Sequence, residues 1–103
     1  MAKYAKLISE KDNVVTVVAD CTTGDEIIVK FHGTETIYEC NDNILFGHKM
    51  AIADLKKGEK VVKYGEAIGS ASRDIRKGEW VHTHNVLDEY RCLDKNGVPL
   101  PGQ

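Results

Sequence analysis

The stretch DLKKGEKV at residues 54–61 returns as DIRKGEWV at residues 74–81, and a fainter copy, DCTTGDEI, precedes both at residues 20–27. The shared rule is Asp, an apolar residue, two polar residues, Gly, an acid, any residue and a β-branched residue. This order describes a strand end with its apolar residue in a core, a tight turn where Gly supplies positive φ, and a β-branched start to the next strand. Three such turns in one short chain predict a folded-over β-sheet, with Gly24, Gly58 and Gly78 in equivalent turns. Lys56, Lys57, Arg76 and Lys77 read as solvated turn residues, and Asp54 and Asp74 as caps on backbone N–H groups of the turn.

Around these turns the apolar runs are short and rich in Val and Ile: residues 14–19, 27–31, 44–52, 61–68 and 80–87. No stretch of a dozen residues keeps a 3.6 period, so the chain is predicted all-β, with helix limited to a turn or two. At 103 residues there is room for one domain with one modest core. Residues 1–86 are assigned to it, and residues 87–103, with Pro99 and Pro101, to a C-terminal tail that is loosely ordered or docked on a partner.

Charge excludes several classes of partner. With 14 basic against 16 acidic side chains there is no basic field for a nucleic-acid backbone or an anionic membrane. No apolar run approaches the roughly 20 residues of a membrane span, and Lys3, Lys6 and Glu10 interrupt the start where a signal peptide is apolar, which points to the cytoplasm. Cys21, Cys40 and Cys92 are odd in number and widely spaced, so they read as reduced, mostly buried thiols. Exposed strand edges on so small a domain invite self-pairing into dimers or higher oligomers.

Two clusters depart from ordinary strand composition. In the first, Gly47, His48 and Lys49 interrupt an apolar run whose alternate members Ile44, Phe46, His48, Met50 and Ile52 would share one face of a strand. A single histidine on such a face is more often a satisfied core residue than a ligand. In the second, His82 and His84 precede Asn85, and in a strand they would point to one side with Cα atoms roughly 6.5 to 7 Å apart. Two imidazoles so placed can converge on a metal or an anion, although a pair alone completes no site. Trp80 reads as a core anchor. Lys63 is either a solvated strand lysine or a fixed cation for a carboxylate, and Tyr64 beside it reads as core with a wet hydroxyl.

The span from Gly47 to Val86 joins these features in order: GHK at 47–49, KYG at 63–65 followed by Ile68 and Gly69, and HTHN at 82–85, with the turn copies between them. It closely resembles the SAF-type domain of the altronate and galactarate dehydratase family, to which the alpha subunit of sulfolactate sulfo-lyase is similar. The resemblance implies a β-clip fold, two hairpins folded over each other. It further implies the small subunit of a hydro-lyase that eliminates water from a sugar acid to give a 2-keto-3-deoxy acid, with a large catalytic subunit as partner. The divalent metal it implies is Fe(II) or Mn(II), shared with that partner.

Elimination next to a carboxylate needs stabilisation of a dianionic enolate and a general acid for the leaving group. On this reading His48, His82 and His84 line the mouth of a shared site as acid/base groups, with His82 and His84 also candidate metal ligands. Lys49 and Lys63 neutralise the carboxylate of a small anionic hydroxy acid, and Asn85 orients a hydroxyl or a neighbouring imidazole. Two alternatives stay open: a sulfolactate sulfo-lyase alpha subunit, and a non-catalytic SAF module binding a sugar acid or another subunit.

Overall fold

In a computed structural model, which describes residues 2–87, the turn rule organises the whole molecule. Cys92 and the part of the expected tail beyond Leu87 lie outside the described residues. Among the described residues there are nine strands and no helix, as the short Val- and Ile-rich runs predict. They are β1 (Ala2–Lys6), β2 (Val14–Val17), β3 (Glu26–Phe31), β4 (Thr34–Glu39), β5 (Lys49–Ala51), β6 (Lys60–Lys63), β7 (Glu66–Ala71), β8 (Trp80–Val81) and β9 (Val86–Leu87). A six-stranded sheet runs β4-β3-β1-β2-β5-β8 and a three-stranded sheet runs β6-β7-β9. All pairings are antiparallel except β1 with β3.

The predicted turns are equivalent, and there is a fourth. Gly24, Gly58 and Gly78 have φ of 96°, 91° and 91°, and Gly47, in NILFGHKM at residues 43–50, has φ of 85°. In every copy the sixth residue donates its N–H to the carbonyl of the third: Asp25 to Thr22, His48 to Leu45, Glu59 to Lys56 and Glu79 to Arg76. The copies also pair reciprocally. Cys21 and Ile44 exchange two backbone hydrogen bonds of 2.7 and 2.9 Å, and Leu55 and Ile75 exchange two of 2.7 Å.

The leading aspartates cap across each pair rather than within a turn. Asp54 accepts from the Lys77 N–H at 2.8 Å, Asp74 from the Lys57 N–H at 2.9 Å and Asp20 from the Phe46 N–H at 2.8 Å. The sixth-position acids cap their own turns: Asp25 takes the Thr22 N–H, Glu59 the Lys56 N–H and Glu79 the Arg76 N–H. Lys56, Lys57, Arg76 and Lys77 are exposed, as expected of solvated turn residues.

β2 divides two cores. Val15 and Val17 face a cluster with Ala5, Cys21, Ile27, Val29, Cys40, Ile44 and Met50, whereas Val14 faces one with Ala51, Leu55, Val61, Ala71, Ile75 and Val81. Alternating side chains thus bury both faces, which is why this strand is apolar at successive positions. Cys21 and Cys40 are free and buried, and burial pushes both thiols above their ordinary pKa.

Asn13 ties the two sheets together. Its N–H donates to the Val62 carbonyl, its side-chain amide donates to the Lys60 carbonyl, and its Oδ1 accepts the Val62 N–H. Beside it the buried Asp12 accepts the N–H of Gly65 at 2.7 Å and of Ser9 at 3.1 Å. Tyr64 and Gly65, with φ of 57° and 76°, form the two-residue turn between β6 and β7. Asp12 and Asn13 therefore fix the strand end that carries Lys63.

Two expectations change. Residues 44–52 are not one strand: Ile44 and Met50 are buried, Phe46 is 66% exposed, and β5 begins only at Lys49, because residues 43–50 form a turn copy. Leu87, expected to open the tail, is instead the second residue of β9, paired with Ser70.

Candidate functional site

The register of β5 with β8, Lys49 opposite Val81 and Met50 opposite Trp80, sets the residue before Lys49 beside the residue after Val81. This brings His48 and His82 together, with ring centroids 5.0 Å apart. Trp80 is the common neighbour. Its indole N–H donates to His48 Nδ1 at 3.2 Å, His82 stacks on it at 5.3 Å with an interplanar angle of 11°, and His84 lies against it at 4.7 Å. The half-buried indole also packs on the first core, so it anchors the core as expected and in addition carries three imidazoles.

His82 and His84 are not side by side on a strand. Residues 82–85 turn between β8 and β9, because the buried Asn85 accepts the His82 N–H on Oδ1 at 3.0 Å and donates from Nδ2 to the Trp80 carbonyl at 2.8 Å. Both ends of its amide hold the loop, and its backbone N–H returns to the His82 carbonyl. Asn85 is thus placed to position the imidazoles. The turn sets both histidine rings against the indole.

Gly69 supports the same loop from below. A Cβ there would collide with the Leu87 carbonyl oxygen and stand 2.8 Å from Val86 Cγ1, so only glycine lets β9 lie this close to β7.

The lysines complete the cluster's charge. Lys49, half-buried on β5, has its pKa lowered from the ordinary 10.5 by burial and then by the charge of Lys63. Lys63, at the end of β6, holds its ammonium 4.7 Å from the centre of the Tyr64 ring. His82 is lowered from 6.5, first by burial and then by His48, Lys49 and His84, so it is neutral at pH 7. Among the described residues no carboxylate pairs with Lys49 or Lys63, whereas Lys3 and Lys30 pair with Asp25 and Glu35 elsewhere. Glu66 stands opposite Lys63 in the β6–β7 register, whereas the group formed by Lys49, His48, His82 and His84 contains no carboxylate, an arrangement with the chemistry to attract an anion.

The described residues do not form a metal centre by themselves. No three His, Cys, Asp or Glu side chains among them gather closely enough to hold an ion, and His48 Nδ1 already accepts from the indole. A cavity of about 660 Å³ lies far from this chemistry, lined by residues including Leu7, Ile8, Phe31 and Tyr38.

The structure therefore brings together His48, His82, His84 and Lys49, places Lys63 within electrostatic reach of Lys49, and buries Asn85 beneath the loop. Sequence reasoning missed the partnership of Trp80 with the histidines and the anchoring by Asp12 and Asn13. Trp80 directly before a Val-His-x-His segment, and an Asp-Asn pair opening an apolar run, are the signals that point to them.

The family model of the altronate/galactarate dehydratase SAF domain matches residues 3–89. An altronate dehydratase of Bacillus subtilis is 38% identical over 79 residues, covering 77% of this chain and 15% of its own length. One of Escherichia coli is 41% identical over 95 residues, covering 86% of this chain and 18% of its own. The (2R)-sulfolactate sulfo-lyase subunit alpha of Chromohalobacter salexigens is 51% identical over 49 residues, 48% of this chain and 52% of that subunit. The chain thus spans less than a fifth of the dehydratases it matches. Among the described residues no helix is long and apolar enough to cross a membrane.

Proposed function

The chain belongs to the altronate/galactarate dehydratase SAF family, and from that premise we propose that it is the small subunit of a cytoplasmic hydro-lyase acting on a sugar acid. The observation that carries this reading is the cluster of His48, His82 and His84 around Trp80, with Lys49 beside it and Lys63 within electrostatic reach of Lys49. Such a cluster takes a substrate carboxylate, and its charge becomes more valuable as the carbon next to that carboxylate loses a proton and the enolate becomes dianionic.

The imidazoles supply the proton chemistry. His82, its pKa lowered, is suited to accept the proton from the carbon next to the carboxylate and to return it to the departing hydroxide, while His48, neutral as long as its Nδ1 accepts the indole N–H, has its Nε2–H left to hydrogen-bond the leaving oxygen. Loss of water then gives a 2-keto-3-deoxy acid. The Fe(II) or Mn(II) that the family resemblance implies would be shared with the large subunit, with His82 and His84 as this chain's candidate ligands, since no three ligand side chains gather among the described residues.

A second reading is the alpha subunit of a sulfolactate sulfo-lyase. It draws support from 51% identity over 49 residues to a protein that is itself a separate small subunit. The two differ in the group expelled. The test is reconstitution of the purified chain with the dehydratase-like large subunit of the same organism. A keto acid formed from altronate supports the hydro-lyase, sulfite released from sulfolactate supports the sulfo-lyase, and neither product with a stably formed complex supports a non-catalytic binding module.

A further inference from the structure

The divergent turn copy differs from the other three at its tip. Its third and fourth positions hold Thr22 and Thr23, Lys56 and Lys57, or Arg76 and Lys77 in the other copies, but Leu45 and Phe46 here. Leu45 is 63% and Phe46 66% exposed, more than any other large hydrophobic side chain among the described residues. Nothing in the turn requires them, since the same backbone is built three times with polar residues there. The tip is also held in place, because Asp20 accepts the Phe46 N–H at 2.8 Å. A fixed, exposed apolar pair on a turn that otherwise carries polar residues marks a contact surface.

We infer that Leu45 and Phe46 are the anchor by which this domain docks on the large dehydratase subunit, an inference that rests on the two-subunit reading above. Two observations select that occupant. Only Gly47 separates the tip from His48 and Lys49, so a body seated on Leu45 and Phe46 stands at the mouth of the imidazole and lysine cluster. The related dehydratases are also much longer chains, 15% and 18% of whose length corresponds to this domain, so the domain has a larger body to face.

The test is titration of the large subunit with the wild-type chain and with Leu45→Lys/Phe46→Lys, which restores the Lys-Lys tip of residues 56 and 57 and should melt at the wild-type temperature. Leu45→Ser/Phe46→Ser adds no charge and separates lost apolar contact from new repulsion. Both variants are expected to bind at least about tenfold more weakly, as loss of a buried apolar anchor does. Wild-type binding with equal binding by both variants overturns the docking inference and leaves the two-subunit reading standing. No binding by the wild-type chain overturns both. A wild-type dimer that either variant converts to a monomer, with unchanged binding to the large subunit, makes a second copy the occupant and overturns the inference.

Discussion

The turn at residues 74–81 and the turn at residues 43–50 share one backbone and differ in what their side chains do. At 74–81 both acids serve the fold: Glu79 caps its own turn and Asp74 caps the Lys57 N–H of the partner copy. At 43–50 the self-capping acid is replaced by His48, whose ring turns away to Trp80 and His82, and the polar tip is replaced by Leu45 and Phe46. A repeated turn supplies its own control. Where a copy gives up the residue that stabilises the others, the replacement marks where selection acts on something besides folding.

The hardest test of this contrast is His48→Glu, which returns the acid to the divergent copy. The introduced carboxylate could then accept the Leu45 N–H as Glu59 accepts that of Lys56, so the fold should be kept, with a melting temperature near that of the wild type. Activity of the reconstituted enzyme should fall by about 10²-fold or more, the usual worth of a donor aimed at developing negative charge. Loss of folding would show that His48 is a structural member of its turn.

Gly69→Ala tests the support beneath the histidine loop. Its Cβ would collide with the Leu87 carbonyl, so β9 must move, with an expected loss of about 1–3 kcal/mol in urea unfolding. Asp54→Ala or Asp74→Ala removes one cross-cap from the structural pair and should cost about 1 kcal/mol.

The smallest effect is the pH dependence contributed by His82. Its folded pKa lies below the 6.5 of the unfolded chain, so between the two values the unfolded state holds more protons. The stability it contributes is complete above about pH 6.5 and is lost as pH falls through the folded value. The urea midpoint should therefore drop between pH 7 and 5 by more in the wild type than in His82→Ala.

Three of the four turns are legible in the sequence because Gly and its following acid mark them. The fourth is not, because with His48, Leu45 and Phe46 in place the segment reads as a continuous apolar strand. The reading of His82 and His84 as strand neighbours fails for a related reason: the side chain of Asn85 bonds the backbone of residues 80 and 82, and such local capping overrides alternation. The grouping of His48, Lys49, Lys63 and the later histidines is legible through the family resemblance, whereas their arrangement around Trp80 depends on the β5–β8 register, a long-range pairing that no local pattern encodes.

If the imidazoles around Trp80 serve a reaction completed by a larger subunit, they can be tested by turnover of altronate. The large subunit is reconstituted with His82→Ala/His84→Ala, beside the wild-type chain. Normal assembly is expected, with a loss of turnover too large to be recovered by raising substrate. Full turnover by the double variant would contradict a catalytic role for these imidazoles.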